Sequence, residues 1–266
     1  MSSNPSPIER CTGPRGLELL SAMPAVADST KPPLLFVHGL GHGAWCWEHW
    51  LRESATRGYA GYAVSLRGHG GSAGTLRTAR LSHYVKDVIH TAASLPRRPV
   101  LVGHSMGGLV VQQALARYAA HAGVLVAPVP AHPAVGSLAS IARQHPLDAV
   151  RMTLGGSLPL RPRYLFAGLD PSEAQQQAHR CGPESPFAQY QLLLHRPPAP
   201  PRGRAPVLVL ATPNDRLVPI SDVRRTAQRY GATLREFPGM GHDLMLDRDW
   251  LSPLETTLDW LPAARG

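Results

Sequence analysis

Ser105 stands in the run Gly103-His104-Ser105-Met106-Gly107, with the apolar triplet Val100-Leu101-Val102 before it and an amphipathic stretch after it. A serine presented on a sharp strand-to-helix turn needs small residues two places before and two places after it, because the backbone there is crowded. Gly103 and Gly107 meet that need. The helix that follows would direct partial positive charge and free N–H groups at a developing anion. A serine hydroxyl is a poor nucleophile without a base, and the base needs a carboxylate to orient it. Asp215 follows the apolar run Val207–Leu210, and His242 stands in Gly239-Met240-Gly241-His242-Asp243 after another strand candidate. Position selects His242 from thirteen histidines. Asp243 and Asp247 also lie close by in sequence, but Asp243 is the immediate neighbour of His242 and awkwardly placed to reach back to its ring, and Asp247 reads as structural.

Acyl transfer also needs two fixed donors for the carbonyl oxygen as it becomes an oxyanion. The backbone N–H of Met106, the residue after the serine, fits one place. Leu40, in His38-Gly39-Leu40-Gly41 directly after the apolar run Leu34–Val37, fits the other. Candidate substrate-binding residues are His38, His42, Trp45, Met152, Leu154 and Phe166. The stretch Gly39-Leu40-Gly41-His42-Gly43-Ala44 imitates a dinucleotide fingerprint, yet no acidic residue occurs between Glu53 and Asp87, where the ribose partner would stand. No phosphate-cradling Gly-x-x-x-x-Gly-Lys loop occurs. His38 and His42 are four apart in a glycine loop without a third ligand, so neither metal nor cofactor is expected.

These residues must be held by a sheet. Leu34–Val37, Tyr62–Val64, Val100–Val102, Val124–Val126 and Val207–Leu210 are continuous apolar runs, which predict strands buried on both faces, as in a parallel sheet; Thr233–Phe237 predicts one more strand. Amphipathic stretches at 44–57, 82–95, 106–120 and 222–230 predict helices between them. The alternation breaks after Val129 and resumes at Pro206, and thirteen of the 27 prolines fall from Pro128 to Pro201. Asp170-Pro171-Ser172-Glu173 and Ser185-Pro186 still predict capped helices there. The expectation is a core of residues 1–129 and 206–266 carrying an inserted helical cap, 130–205, over the sheet.

The chain has 266 residues, of which 43% are hydrophobic and 17% charged, which excludes a disordered tail and a disulfide-stapled miniature. Its net charge of +9 is almost all arginine, since Lys31 and Lys86 are the two lysines. The arginines are scattered, and Arg, Ala, Pro and Gly are enriched together, which points to codon usage rather than to nucleic-acid binding. Arg143, Arg151, Arg161 and Arg163 in the cap are available to an anionic substrate group. Cys11, Cys46 and Cys181 form no CxxC pair and read as reduced thiols. With no apolar leader and no 18-residue apolar run, a cytoplasmic protein without a stable membrane anchor is expected.

Five segments, FVHGLGHGAWCW (36–47), LRGHGGS (66–72), VGHSMGGLVV (102–111), ATPNDRLVP (211–219) and FPGMGHDLMLD (237–247), resemble those of α/β-hydrolase-fold enzymes of the lipase, esterase and lysophospholipase type. They span about 210 residues in the family's order, and Ser105, Asp215, His242 is its order of catalytic residues. The family often has an Asp shortly before the Arg-Gly of the second segment; here Ser65-Leu66 precede Arg67, which touches local turn structure and not the triad. The resemblance implies an α/β-hydrolase fold with a mostly parallel sheet, helices on both faces and a cap. It also implies a serine hydrolase acting on a small-molecule ester or thioester through an acyl-enzyme, with an apolar or medium-sized acyl group. The same fold also allows a thioesterase or acyltransferase, a cofactor-free peroxidase-like or C–C bond hydrolase, and a non-catalytic ligand-binding protein.

Overall fold

The computed structural model describes residues 6–26, 28 and 30–263. Its strands are β1 (Glu9–Thr12), β2 (Glu18–Ala22), β3 (Leu34–Val37), β4 (Gly61–Val64), β5 (Val100–His104), β6 (Ala122–Val126), β7 (Val207–Ala211) and β8 (Thr233–Glu236). They form one sheet in the order β1-β2-β4-β3-β5-β6-β7-β8. From β4 onward every pair is parallel, and β1 and β2 add an antiparallel edge, with Leu19 opposite Val64. The parallel strands arise where the apolar runs predict them, because a strand covered by helices on both faces must be apolar at consecutive positions. Leu34, Leu35, Phe36 and Val37 are all fully buried. Burying each such side chain stabilises by roughly 1.5–3 kcal/mol, which outweighs the tenths contributed by local propensity.

The two antiparallel strands are not predicted by the sequence reading. Every residue of β1 is exposed, and β2 buries Glu18 and Ser21 among its leucines, so neither shows an apolar run. Glu18 answers the departure at Ser65. Its Oε2 accepts from Ser65 Oγ at 2.6 Å, and Ser65 Oγ in turn accepts from Ala44 N–H at 2.9 Å, tying the turn after β4 to the loop after β3.

The helices of the core are α1 (Glu48–Thr56), α2 (Leu81–Ser94) and α3 (Met106–Leu115), with the predicted helix at 44–57 beginning as a 3-10 turn, Ala44–Trp47. Trp47 and Trp50 are buried against Phe36, Trp47 stacked at 5.1 Å between ring centroids. Between β6 and β7 come α4 (Val135–Gln144), α5 (Pro146–Thr153), α6 (Pro162–Leu165), α7 (Pro171–His179) and α8 (Pro186–Leu194), and the chain closes with α9 (Ile220–Tyr230) and α10 (Leu251–Ala263). The Asp170 side chain accepts from Ser172 and Glu173 N–H at the start of α7, and Ser185 Oγ caps α8, as the Ser/Asp-Pro signals predict. α3 is shorter than its predicted range, ending at Leu115.

Candidate active site

Each parallel strand ends at the same edge of the sheet, and the candidate residues stand in the loops just beyond: Leu40 after β3, Ser105 after β5, Asp215 after β7 and His242 after β8. Ser105 has φ 52° and ψ −119°, a conformation that side chains other than glycine rarely adopt. It is held there by close backbone approach. A Cβ on Gly103 would run into the Gly107 carbonyl oxygen, and one on Gly107 into the carbonyl oxygens of Val37 and His38. Both glycines are therefore required by packing and not merely by flexibility.

The Asp215 and His242 side chains are each 2% exposed, and Asp215 Oδ2 accepts from His242 Nδ1 at 2.6 Å. The other Asp215 oxygen accepts from Leu217 and Val218 N–H at 2.8 and 2.9 Å, which fixes the carboxylate plane. The two loops are tied together as well: Thr212 Oγ1 donates to Met240 O at 2.7 Å and Gly239 N–H to Asn214 Oδ1 at 2.8 Å. Burial would lower the His242 pKa, but the Asp215 charge and hydrogen bond, with the Asp243 charge behind them, hold it above the ordinary imidazole value. Ser105 and His242 line one small cavity together with Leu40, His42 and Leu217. Among the described residues, neither the Leu40 nor the Met106 N–H donates to a protein acceptor.

A narrow cleft of about 50 Å³ opens from Ser105, walled by Leu138, Ile141, Met152, Leu158, Leu192 and Leu217. Its lining is apolar, with Ser137 and Gln189 the polar side chains besides Ser105. Of the substrate-binding candidates, Met152 reaches this cleft and His42 the smaller cavity. Leu154 does not: its residue is 82% exposed at the end of α5, turned to solvent. His38 is buried beneath its loop, where its Nε2 accepts from Leu66 N–H at 2.9 Å, a structural role. Phe166 is buried and Trp45 stacks on His42, neither lining the cleft. None of Arg143, Arg151, Arg161 and Arg163 lines it either, and Arg161 is engaged by Asp148 at 2.7 and 2.8 Å.

Behind the serine lies a second buried polar group that the sequence reading leaves unconnected. Asp243, fully buried, accepts from His42 Nε2 at 3.0 Å and lies 3.3 Å from His104 Nε2. Burial lowers the His42 pKa, but the Asp243 charge and hydrogen bond, with the Cys181 sulfur beside the ring, more than offset it, so the ring is held well above its ordinary value. His104, lowered by burial to about 3, is neutral. His104, His242 and Asp243 place ligand-type atoms within 4.8 Å of one another, so they could gather round an ion, which would remove the His242 ring from proton transfer. Asp247 is a structural clamp: its two oxygens accept from the N–H groups of Ala167, Gly168, Gly241 and Arg248, pinning the His242 loop to the chain after α6.

The family model described as "Alpha/beta hydrolase family" matches residues 34–254. Among curated relatives, the chain is 33% identical over 117 residues to Esterase PIR7B of Oryza sativa subsp. japonica, covering 42% of this chain and 43% of the relative. The matched stretch thus spans less than half of that relative. It is 26% identical over 253 residues to a monoacylglycerol lipase of Mycolicibacterium smegmatis, covering 86% of this chain and 87% of that one. The fold superposes on a soluble variant of monoglyceride lipase from Saccharomyces cerevisiae with a TM-score of 0.75 at 15% identity, over 99% of this chain and 98% of that one.

Proposed function

The chain belongs to the alpha/beta hydrolase family, and from that membership and the geometry around Ser105 we propose that it hydrolyses carboxylic esters of small molecules through an acyl-enzyme. Ser105 attacks the ester carbonyl while His242 takes its proton, and Asp215 holds the imidazole in the required tautomer and stabilises the imidazolium. The Leu40 and Met106 N–H groups receive the oxyanion. His242 then protonates the leaving alkoxide, and water repeats the sequence to release the acid. The observation that carries this reading is the 2.6 Å bond from His242 to Asp215, whose other oxygen two backbone N–H groups hold, with a serine held at φ 52° lining the same cavity as His242.

In this proposal residues 130–205 act as the cap, and the apolar cleft takes the acyl chain, with α4, α5 and α8 as its wall. An apolar acyl group of short to medium length fits that lining better than a charged one. The esterase and lipase relatives support an ester as the bond cleaved. Three unpaired thiols favour a reducing compartment, the cytoplasm; among the described residues no helix is long and apolar enough to cross a membrane. The test is a panel of p-nitrophenyl esters of increasing chain length, assayed with the wild type and Ser105→Ala. Turnover that peaks at an intermediate length and vanishes in the variant is expected. Comparable turnover by Ser105→Ala would refute the proposal.

A further inference from the structure

Residues 180–184, between α7 and α8, lie along the chain that follows β3, and Arg180, Cys181, Gly182 and Glu184 touch it. Arg180 stacks its guanidinium on Trp45 at 4.1 Å and pairs with Glu48 at 3.3 Å. Cys181 Sγ lies 3.5 Å from His42 Nε2. Gly182 N–H donates to Gly41 O at 2.7 Å, and Gly41 N–H donates to Glu184 Oε2 at 3.5 Å. The fit is close: Gly41 has φ 65°, and a Cβ there would come within 2.5 Å of Gly182 O and 2.8 Å of Leu160 Cδ1.

Glu184 anchors this segment to the core. It is buried, and its carboxylate accepts from Tyr84 Oη at 2.7 Å and Ser185 N–H at 2.7 Å and lies 3.1 Å from His69 Nε2. Burial raises the Tyr84 phenol far above its ordinary value, so it stays protonated as a donor. A buried carboxylate with this many partners is a rigid post, since releasing any partner leaves a desolvated polar atom unpaired. The peptide unit it steadies is the one directly after Leu40.

We infer that segment 180–184 is a strap from the cap that positions the Leu40 oxyanion donor, with Gly182 and Glu184 as positioning residues. The inference rests on the ester-hydrolase reading above. The strap makes the site's competence depend on the cap: with the strap seated, the Leu40 N–H is fixed before substrate arrives, and lifting it frees Gly41 to rotate. Misplacing one oxyanion donor is felt in the transition state and not in substrate binding. Trp45, which the sequence offers as a substrate contact, belongs to this seam instead, and His42 joins the seam to the cavity at Ser105.

The test compares Gly182→Pro, which removes the N–H, with the conservative Gly182→Ala, whose added methyl meets nothing closer than Gly41 O at 3.9 Å. Glu184→Ala and Glu184→Gln form a second pair that does not alter the strap backbone. Gly182→Pro and Glu184→Ala are expected to lower kcat about tenfold or more with KM within about twofold, while Gly182→Ala and Glu184→Gln recover most of it. An independent readout is the rate at which iodoacetamide alkylates Cys181, followed by peptide mass spectrometry; Cys46 is buried and its thiol is raised by that burial, so it serves as an unreactive internal reference. Lifting the strap should raise the Cys181 rate about threefold or more. Unchanged kcat in Gly182→Pro and Glu184→Ala, a change in KM alone, or equal losses in the conservative variants would overturn the inference. Should Ser105→Ala be inactive while the strap variants turn over normally, the strap falls and the ester reading stands. Activity that persists in Ser105→Ala sinks the ester reading, and the Cys181 rate still reports whether Gly182 and Glu184 hold the strap.

Discussion

Asp215 meets His242 with one carboxylate oxygen, at 2.6 Å, while its other oxygen is held by the N–H groups of Leu217 and Val218. The carboxylate therefore cannot turn without losing two backbone bonds, and the imidazole it holds has a single orientation. Replacing the negative oxygen by an amide leaves the packing intact but presents a donor to His242 Nδ1, which favours the wrong tautomer. Asp215→Asn is expected to lower kcat by about 10³–10⁴ with a folded protein of near-normal thermal midpoint. Steady-state kinetics on an activated ester check it.

The pH profile follows from the same pair. His242 must be neutral to accept the serine proton, and its pKa lies above the ordinary 6.5 because the Asp215 and Asp243 charges outweigh burial. The acidic limb of kcat/KM should therefore have its midpoint above pH 6.5, with activity rising as pH rises through it. In Asp215→Asn the strongest raising influence is gone, so the limb should move to lower pH in the residual activity. A limb that stays fixed would assign it to another group.

Met152 stands on the cleft wall with Leu158 and Leu192. Met152→Trp adds volume where the acyl chain would run. The ratio of kcat/KM for octanoyl over acetyl esters should fall about tenfold or more, since one methylene of fit is worth about 1–3 kcal/mol. Leu154→Trp, on a side chain turned to solvent, should leave the ratio unchanged.

Asp243 is fully buried between His42 and His104, and removing it strands the His42 charge in the interior. Asp243→Leu is expected to destabilise the fold by about 3–5 kcal/mol, read from urea unfolding. The sign of the pH dependence separates the two members of the His42–Asp243 pair. The His42 contribution, from a raised folded pKa, is fully present below its unfolded value near 6.5 and is lost as pH rises through the folded one; the Asp243 contribution, from a lowered pKa, is present above about 3.8 and lost as pH falls through its folded value.

The parallel sheet is legible in the sequence because burial on both faces leaves continuous apolar runs, and the grouping of Ser105, Asp215 and His242 is legible because Ser105 and Asp215 follow such runs and His242 follows the edge-strand candidate Thr233–Phe237. Those residues need only local rules. The contributions of Glu184 and Asp243 are not legible, because each depends on where a distant backbone N–H or imidazole arrives in space: Glu184 reaches Gly41 across 143 positions and Asp243 reaches His42 across 201. Leu154 misleads for the converse reason, as helical phase at the frayed end of α5 turns it outward while Met152, two residues earlier, faces in. The β1–β2 edge hides because β1 is exposed throughout and β2 buries Glu18 and Ser21 among its leucines, so neither strand shows an apolar run.

The measurement that bears most directly on the central claim is peptide-resolved mass spectrometry after reaction with a fluorophosphonate. One phosphonyl adduct per chain is expected, on Ser105, formed in step with the loss of esterase activity, and none when Ser105 is alanine. An adduct on another residue, or full activity in a chain whose Ser105 is quantitatively modified, would contradict it.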